Sequence, residues 1–228
     1  MFCTNCDEED TELSIEKPIC KSCGFDNSYV LGLIAEEDDD DDYEEVQDEL
    51  RTSSACAQRC VILYGIISAG HGEERSKIIC WLKDENLWEH VSKQEIEFLE
   101  STSPSEPQIV NATWRIEALH LLLWALNKIN SASNLSDMCN VGSIQTVCNF
   151  YLTNTNNFIG SAKFRKENEI YELNELIYES HWNVRDAQIN DKEIPDQLNS
   201  GLVQERHYAI NWLMGYCGQE WDEISTDT

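Results

Sequence analysis

Two Cys-x-x-Cys pairs, Cys3/Cys6 and Cys20/Cys23, stand thirteen residues apart at the start of the chain. A Cys-x-x-Cys turn directs two thiolates toward one point, and two such turns facing each other complete a tetrahedral site of four sulfurs. Pro18 before the second pair and Gly24 after it suit a short hairpin-like excursion closed by a knuckle. The spacer is slightly short for paired zinc knuckles, yet the double pair is a metal signature. Zinc is the expected ion, with iron as the runner-up. A redox dithiol or two disulfides are the other readings of the same residues. A redox Cys-x-x-Cys opens a helix in a βαβ context, which this segment lacks. Four thiolates would leave no open coordination position, so the metal is expected to be structural. So small and polar a segment needs it, because metal binding can supply on the order of 10 kcal/mol of folding energy.

A second set of chemistry-bearing residues falls in four blocks that mix charge with aromatic rings. They are Trp114-Arg115-Ile116-Glu117, His181 to Asp186, Glu205-Arg206-His207-Tyr208, and the stretch from Trp221-Asp222 to the C-terminus. At helical spacing Trp114, Glu117, Leu121 and Trp124 share one side, and His181 and Arg185 are one turn apart. Charges in such surroundings must be paired, because an isolated buried charge is costly. One reading is therefore a buried polar network of Arg115, Glu117, His181, Arg185, Asp186, Glu205, Arg206 and His207. The other is an acid–base or metal site on neighbouring helices. No His-Glu-x-x-His, Glu-x-x-His pair, nucleophile elbow or Gly-rich phosphate loop is recognised. The network accounts for the residues without chemistry, so no catalytic residue is assigned.

The elements that must position these blocks read as helices. From Arg51 onward the apolar residues recur at helical spacing. Ser53 or Ser54 could cap a helix striped by Cys56, Cys60, Leu63 and Ile67 and ended by Gly70, with the two cysteines as core packing. EERSKIICWLKDENLW gives a second helix, and Ser92-x-x-Glu95 is a capping box that opens a third. QIVNATWRIEALHLLLWALNKIN is apolar on nearly every side at its centre, as a helix surrounded by others must be. GSIQTVCNFYL, ENEIYELNELIYESHWNVRDAQ and GLVQERHYAINWLMGY continue the pattern. The expected architecture is all-α, a multi-helix bundle or array with a small N-terminal four-cysteine zinc-knuckle module. Residues 1–35 form that module, 36–50 an acidic linker and 51–228 the helical domain.

Of the 228 residues, 41 % are hydrophobic and seven are Trp, enough for a substantial core. The formal net charge of −27 excludes a phosphate-binding surface, so neither nucleic acid nor an anionic membrane is an expected partner. Residues 36–49 carry eleven acidic side chains, and removing them from −27 still leaves −16. The run is either a solvated linker or a docking patch for a basic protein, through Asp38, Asp39, Asp40, Asp41, Asp42, Glu44 and Glu45. No basic and apolar leader opens the chain, and its most apolar stretch, IEALHLLLWAL, is too short to span a bilayer. A cytosolic protein is expected, its sequons at Asn111 and Asn134 being chance matches.

The blocks WRIEAL, HWNVRDA, ERHYAINWL and WDEISTDT, in this order, resemble an uncharacterised all-helical bacterial family known only as a domain of unknown function. The resemblance covers about residues 51–228 and leaves out the Cys-rich head and the acidic run. Some members of that family look like immunity proteins encoded beside polymorphic toxins. The resemblance therefore implies a cytosolic immunity or inhibitor protein, not an enzyme, whose partner is a basic protein toxin domain. Its acidic surface would be steered onto the toxin's catalytic face and cover it. The alternatives are an enzyme using the His/Arg/carboxylate cluster and a zinc-stapled adaptor in another complex.

Overall fold

The structure is a computed structural model that describes residues 19–23, 48–132 and 134–227. It divides into two units, Met1–Val46 and Gln47–Thr228. Of the first, Lys21–Cys23 form a turn, with Cys20 buried and Cys23 exposed. Cys3, Cys6 and the acidic residues Asp38 to Asp42, Glu44 and Glu45 lie outside the described residues.

Among its described residues the second unit has helices as its only regular secondary structure, joined by loops and turns. Its eight α-helices are α1 (Ser53–Gly70), α2 (Arg75–Asp84), α3 (Lys93–Glu100), α4 (Glu106–Ala125), α5 (Val141–Val147), α6 (Thr155–Gly160), α7 (Glu167–Ile189) and α8 (Ser200–Met214). Short 3-10 turns at Trp88–His90, Tyr216–Gly218 and Trp221–Glu223 complete it. None of these helices is long and apolar enough to cross a membrane.

Polar side chains set the helix starts, as orphaned first-turn N–H groups require. Thr52 caps α1 by accepting from the Ala55 N–H, one residue before the serines that the sequence suggested; Ser53 instead donates to the Ala162 carbonyl. Ser92 and Glu95 form the expected reciprocal capping box of α3. Asn140, Asn154 and Asn199 cap α5, α6 and α8.

The core is built on α1 against α4, with α8 packed on α4 and α7 on α8. Ala118 through Ala125 of α4 are all buried, because α1 lies on one side of this helix and α8 on another. Cys56 and Cys60 are fully buried in α1, and burial pushes the Cys60 thiol well above its usual range, so it behaves as a small apolar residue.

The chain enters α1 across the far end of α8. The Arg51 N–H donates to the Leu213 carbonyl, and its guanidinium reaches the carbonyls of Trp212 and Gln219. Asp48 accepts from the Cys217 N–H. Residues 48–50, expected in the linker, are thus fastened to the helical unit.

Candidate functional site

Three of the four charged blocks meet where α4, α8 and the C-terminal segment converge. The innermost contact joins Glu117 of α4 to Arg206 of α8. The guanidinium donates through Nη2 at 2.7 Å and Nε at 3.2 Å to Glu117 Oε2. The Arg206 side chain is 1 % exposed and that of Glu117 0 %. Glu117 Oε1 accepts from the Cys139 N–H at 2.8 Å, and Arg206 also donates to the carbonyls of Asn134 and Asp137. Both charges are thereby satisfied, and the pair fastens the loop after α4 onto the bundle. A buried pair saturated in this way costs little while intact and much when halved.

Arg115, two residues before Glu117, faces the C-terminal segment. It donates to Glu205 at 3.0 Å and lies 4.3 Å over the Tyr208 ring and 5.5 Å from that of Trp221. Burial raises the Glu205 carboxyl, and Arg115 opposes that rise. Tyr208 meets Trp221 edge to face at 5.0 Å, and Trp212 meets it at 5.4 Å. Arg59 of α1 stacks 4.7 Å over Trp221, and Arg51 stacks 4.8 Å over Trp212. Arginines and aromatics therefore alternate as a ladder around Trp221, each step a cation–π or edge-to-face contact.

Sequence reasoning missed Arg59 and its partner. Both Glu95 oxygens accept from Arg59 Nη1, at 2.9 and 2.8 Å, and Nη2 donates to the His90 carbonyl. The glutamate that closes the α3 capping box thus also neutralises a buried arginine. The signal was present: Arg59 lies between Gln58 and Cys60 in a stretch otherwise suited to burial, where a charge needs a partner.

Trp221 and Asp222 help to wall two clefts. One, of about 600 Å³, is lined by Arg51, Arg59, Lys93, Trp212 and a rim of Glu89, Glu220 and Glu223. The other, of about 280 Å³, is lined by Arg115, Gln108, Asn111 and Glu97. Arg59 Nε and Trp212 Nε1 are buried donors without an acceptor among the described residues. Acidic groups stand at the rim of the first cleft.

The block beginning at His181 lands elsewhere. His181 on α7 and His207 on α8 are both buried, with their Nδ1 atoms 2.7 Å apart. Burial lowers both rings, and the neighbouring imidazole helps hold His207 down to about 4. Both are then neutral at pH 7, one donating its Nδ1 proton to the lone pair of the other. Arg185 and Asp186, expected in the buried network, are not in it. Arg185 is exposed and donates to Gln188, and Asp186 pairs with Lys192. Four residues on from His181, Arg185 is offset by roughly 40° around α7, past the buried side that Val184 and Ala187 occupy, and Asp186 lies further round still.

Glu117 and His120 stand at Glu-x-x-His spacing, a carboxylate–metal pattern that sequence reasoning also passed over. Arg206 and the Cys139 N–H occupy both Glu117 oxygens. Burial, then the Arg206 charge, lowers His120 to about 4. Among the described residues no group of three His, Cys, Asp or Glu side chains is placed to hold a metal ion. Cys20 and Cys23 of the thiolate quartet are described and the other two are not.

The clusters are thus closed upon themselves: guanidinium on carboxylate or carbonyl, imidazole on imidazole. None pairs a nucleophile with a base across an open cleft, the arrangement that acyl or phosphoryl transfer needs. The chain belongs to the family described as Domain of unknown function (DUF4272), whose model matches residues 39–224. That match begins inside the acidic run, twelve residues earlier than the blocks suggested. No curated protein and no solved structure matches the chain.

Proposed function

We propose that this protein is an acidic binding protein of the immunity type, which captures a basic toxin domain in the cytosol and covers its active site. One observation carries this reading: among its described residues the helical unit draws six of its seven arginines inward and leaves most of its acids exposed. Arg59 and Arg206 are buried, and Arg51, Arg75, Arg115 and Arg165 are half-buried on carbonyls or carboxylates. Arg185 alone of the seven is exposed. Arginines committed to the interior leave the lysines as the main surface cations, and the exposed acids of the described helical residues outnumber them. Such a field speeds encounter with a basic partner and suppresses wrong ones. The closed polar clusters support binding over catalysis, and the resemblance to immunity proteins names the class of partner.

The reading requires a toxin gene beside this protein's own, and its absence would overturn the reading. Cells making that toxin should survive only when this protein is co-expressed, and the association rate of the purified pair should fall steeply with salt. Death despite co-expression, or an association rate indifferent to salt, would overturn it. Replacing Asp38 through Asp42 with Asn separates docking from linking: slower association makes the run a docking element, and unchanged rates place the contacts on the helical unit.

A further inference from the structure

α7 packs on α8 through one side only. Ile170, Ile177, His181, Val184 and Ala187 are buried, whereas Tyr171, Tyr178, Trp182 and Ile189 are 45–72 % exposed, Tyr178 while also meeting the His207 ring of α8 edge to face at 5.9 Å. The spacings of the exposed set are seven, four and seven residues, which puts all of them on one side of the helix along roughly 27 Å. Glu172, Glu175 and Glu179 run beside this stripe, all exposed, and none is ion-paired with a described cation. Next to α7 lies a groove of about 400 Å³, lined by Leu121, Leu135, Leu173, Leu176 and Leu198. Rows of exposed aromatic side chains are uncommon on the surface of a soluble monomer and mark contact surfaces.

From this arrangement we infer that the outward face of α7 is the docking surface for a lysine- and arginine-rich protein partner, its aromatics and acids engaging the same cations. The inference rests on the basic-partner reading above and assigns that reading a place. Three features favour this occupant. Tyr and Trp faces attract guanidinium and ammonium groups, most strongly once desolvated. The adjoining glutamates supply the opposite charge as a rim, and the leucine groove accepts an apolar anchor at its side. A second copy of this chain would set the same glutamate row against itself, a like-charge contact that is costly.

The full chain is titrated with a short oligo-arginine peptide at physiological salt and followed by amide and indole NMR. The expected perturbations fall on residues 168–189 and on the Trp182 indole N–H. Trp182→Ala with Tyr171→Ala should weaken binding about tenfold or more, a loss typical of aromatic anchors, at an unchanged melting temperature. Binding that maps elsewhere, or that the double variant leaves intact, would overturn the α7 assignment while sparing the basic-partner reading. Absence of any binding would overturn both. A dimer in sedimentation that Trp182→Ala dissolves would give the face to a second copy and overturn the inference.

Discussion

The Nδ1 atoms of His181 and His207 lie 2.7 Å apart between α7 and α8, their rings 86° from coplanar. One ring must donate and the other accept, so the contact tolerates one proton between the two nitrogens and not two. Burial is the main cause of their lowered affinity for a second proton, which takes His207 down to about 4. In the unfolded chain both return to about 6.5 and bind protons that the folded chain refuses.

Stability from this contact is therefore fully present above about pH 6.5 and lost as pH falls through about 4. The melting temperature should drop across that window. His207→Gln keeps a hydrogen-bonding group without a titrating one and should flatten the drop in part, since buried His120, also near 4, contributes in the same direction. An acid limb identical to that of the parent protein would show that the pair is not closed as described.

Glu117→Ala or Arg206→Ala strands a buried charge and should cost about 3–5 kcal/mol. Arg185→Ala, at an exposed position on α7, should change stability by less than about 0.5 kcal/mol. Denaturant melts of the three variants test the distinction. Equal losses at Arg185 and Arg206 would place both arginines in one network.

Gly215 ends α8 at φ +73°, and a methyl group there would run into the carbonyl oxygen of Glu49. Gly215→Ala should cost about 1–3 kcal/mol and loosen the segment that enters α1. Hydrogen exchange at the Arg51 amide, which donates to the Leu213 carbonyl, is the direct readout and should accelerate.

The N-terminal quartet is expected to hold one structural zinc per chain on Cys3, Cys6, Cys20 and Cys23. Elemental analysis should find about one zinc per chain, and Cys3→Ser should release it while the far-ultraviolet helical signal persists. Metal-free protein with these cysteines in disulfides after reducing purification would defeat the assignment.

The helices were legible from local sequence. Apolar spacing located α1, α4, α7 and α8, and Ser92-x-x-Glu95 located a capping box, because these signals depend on residues within a few turns of one another. Glu117 and Arg206 likewise announced a need for partners, since burying either charge alone is prohibitive. Which partners they found was settled by the packing of the helices. Arg206 meets Glu117 across 89 positions, and Arg59 takes the capping glutamate of α3 across 36. Trp221 gathers Arg59, Arg115, Tyr208 and Trp212 from three helices. The same limit explains Arg185 and Asp186. They lie on the same helix as His181, yet whether a helical position is buried depends on where the neighbouring helix crosses. A few tens of degrees of rotation about α7 separate a ligand of the core from a side chain in water, and periodicity fixes the stripe without fixing its edges.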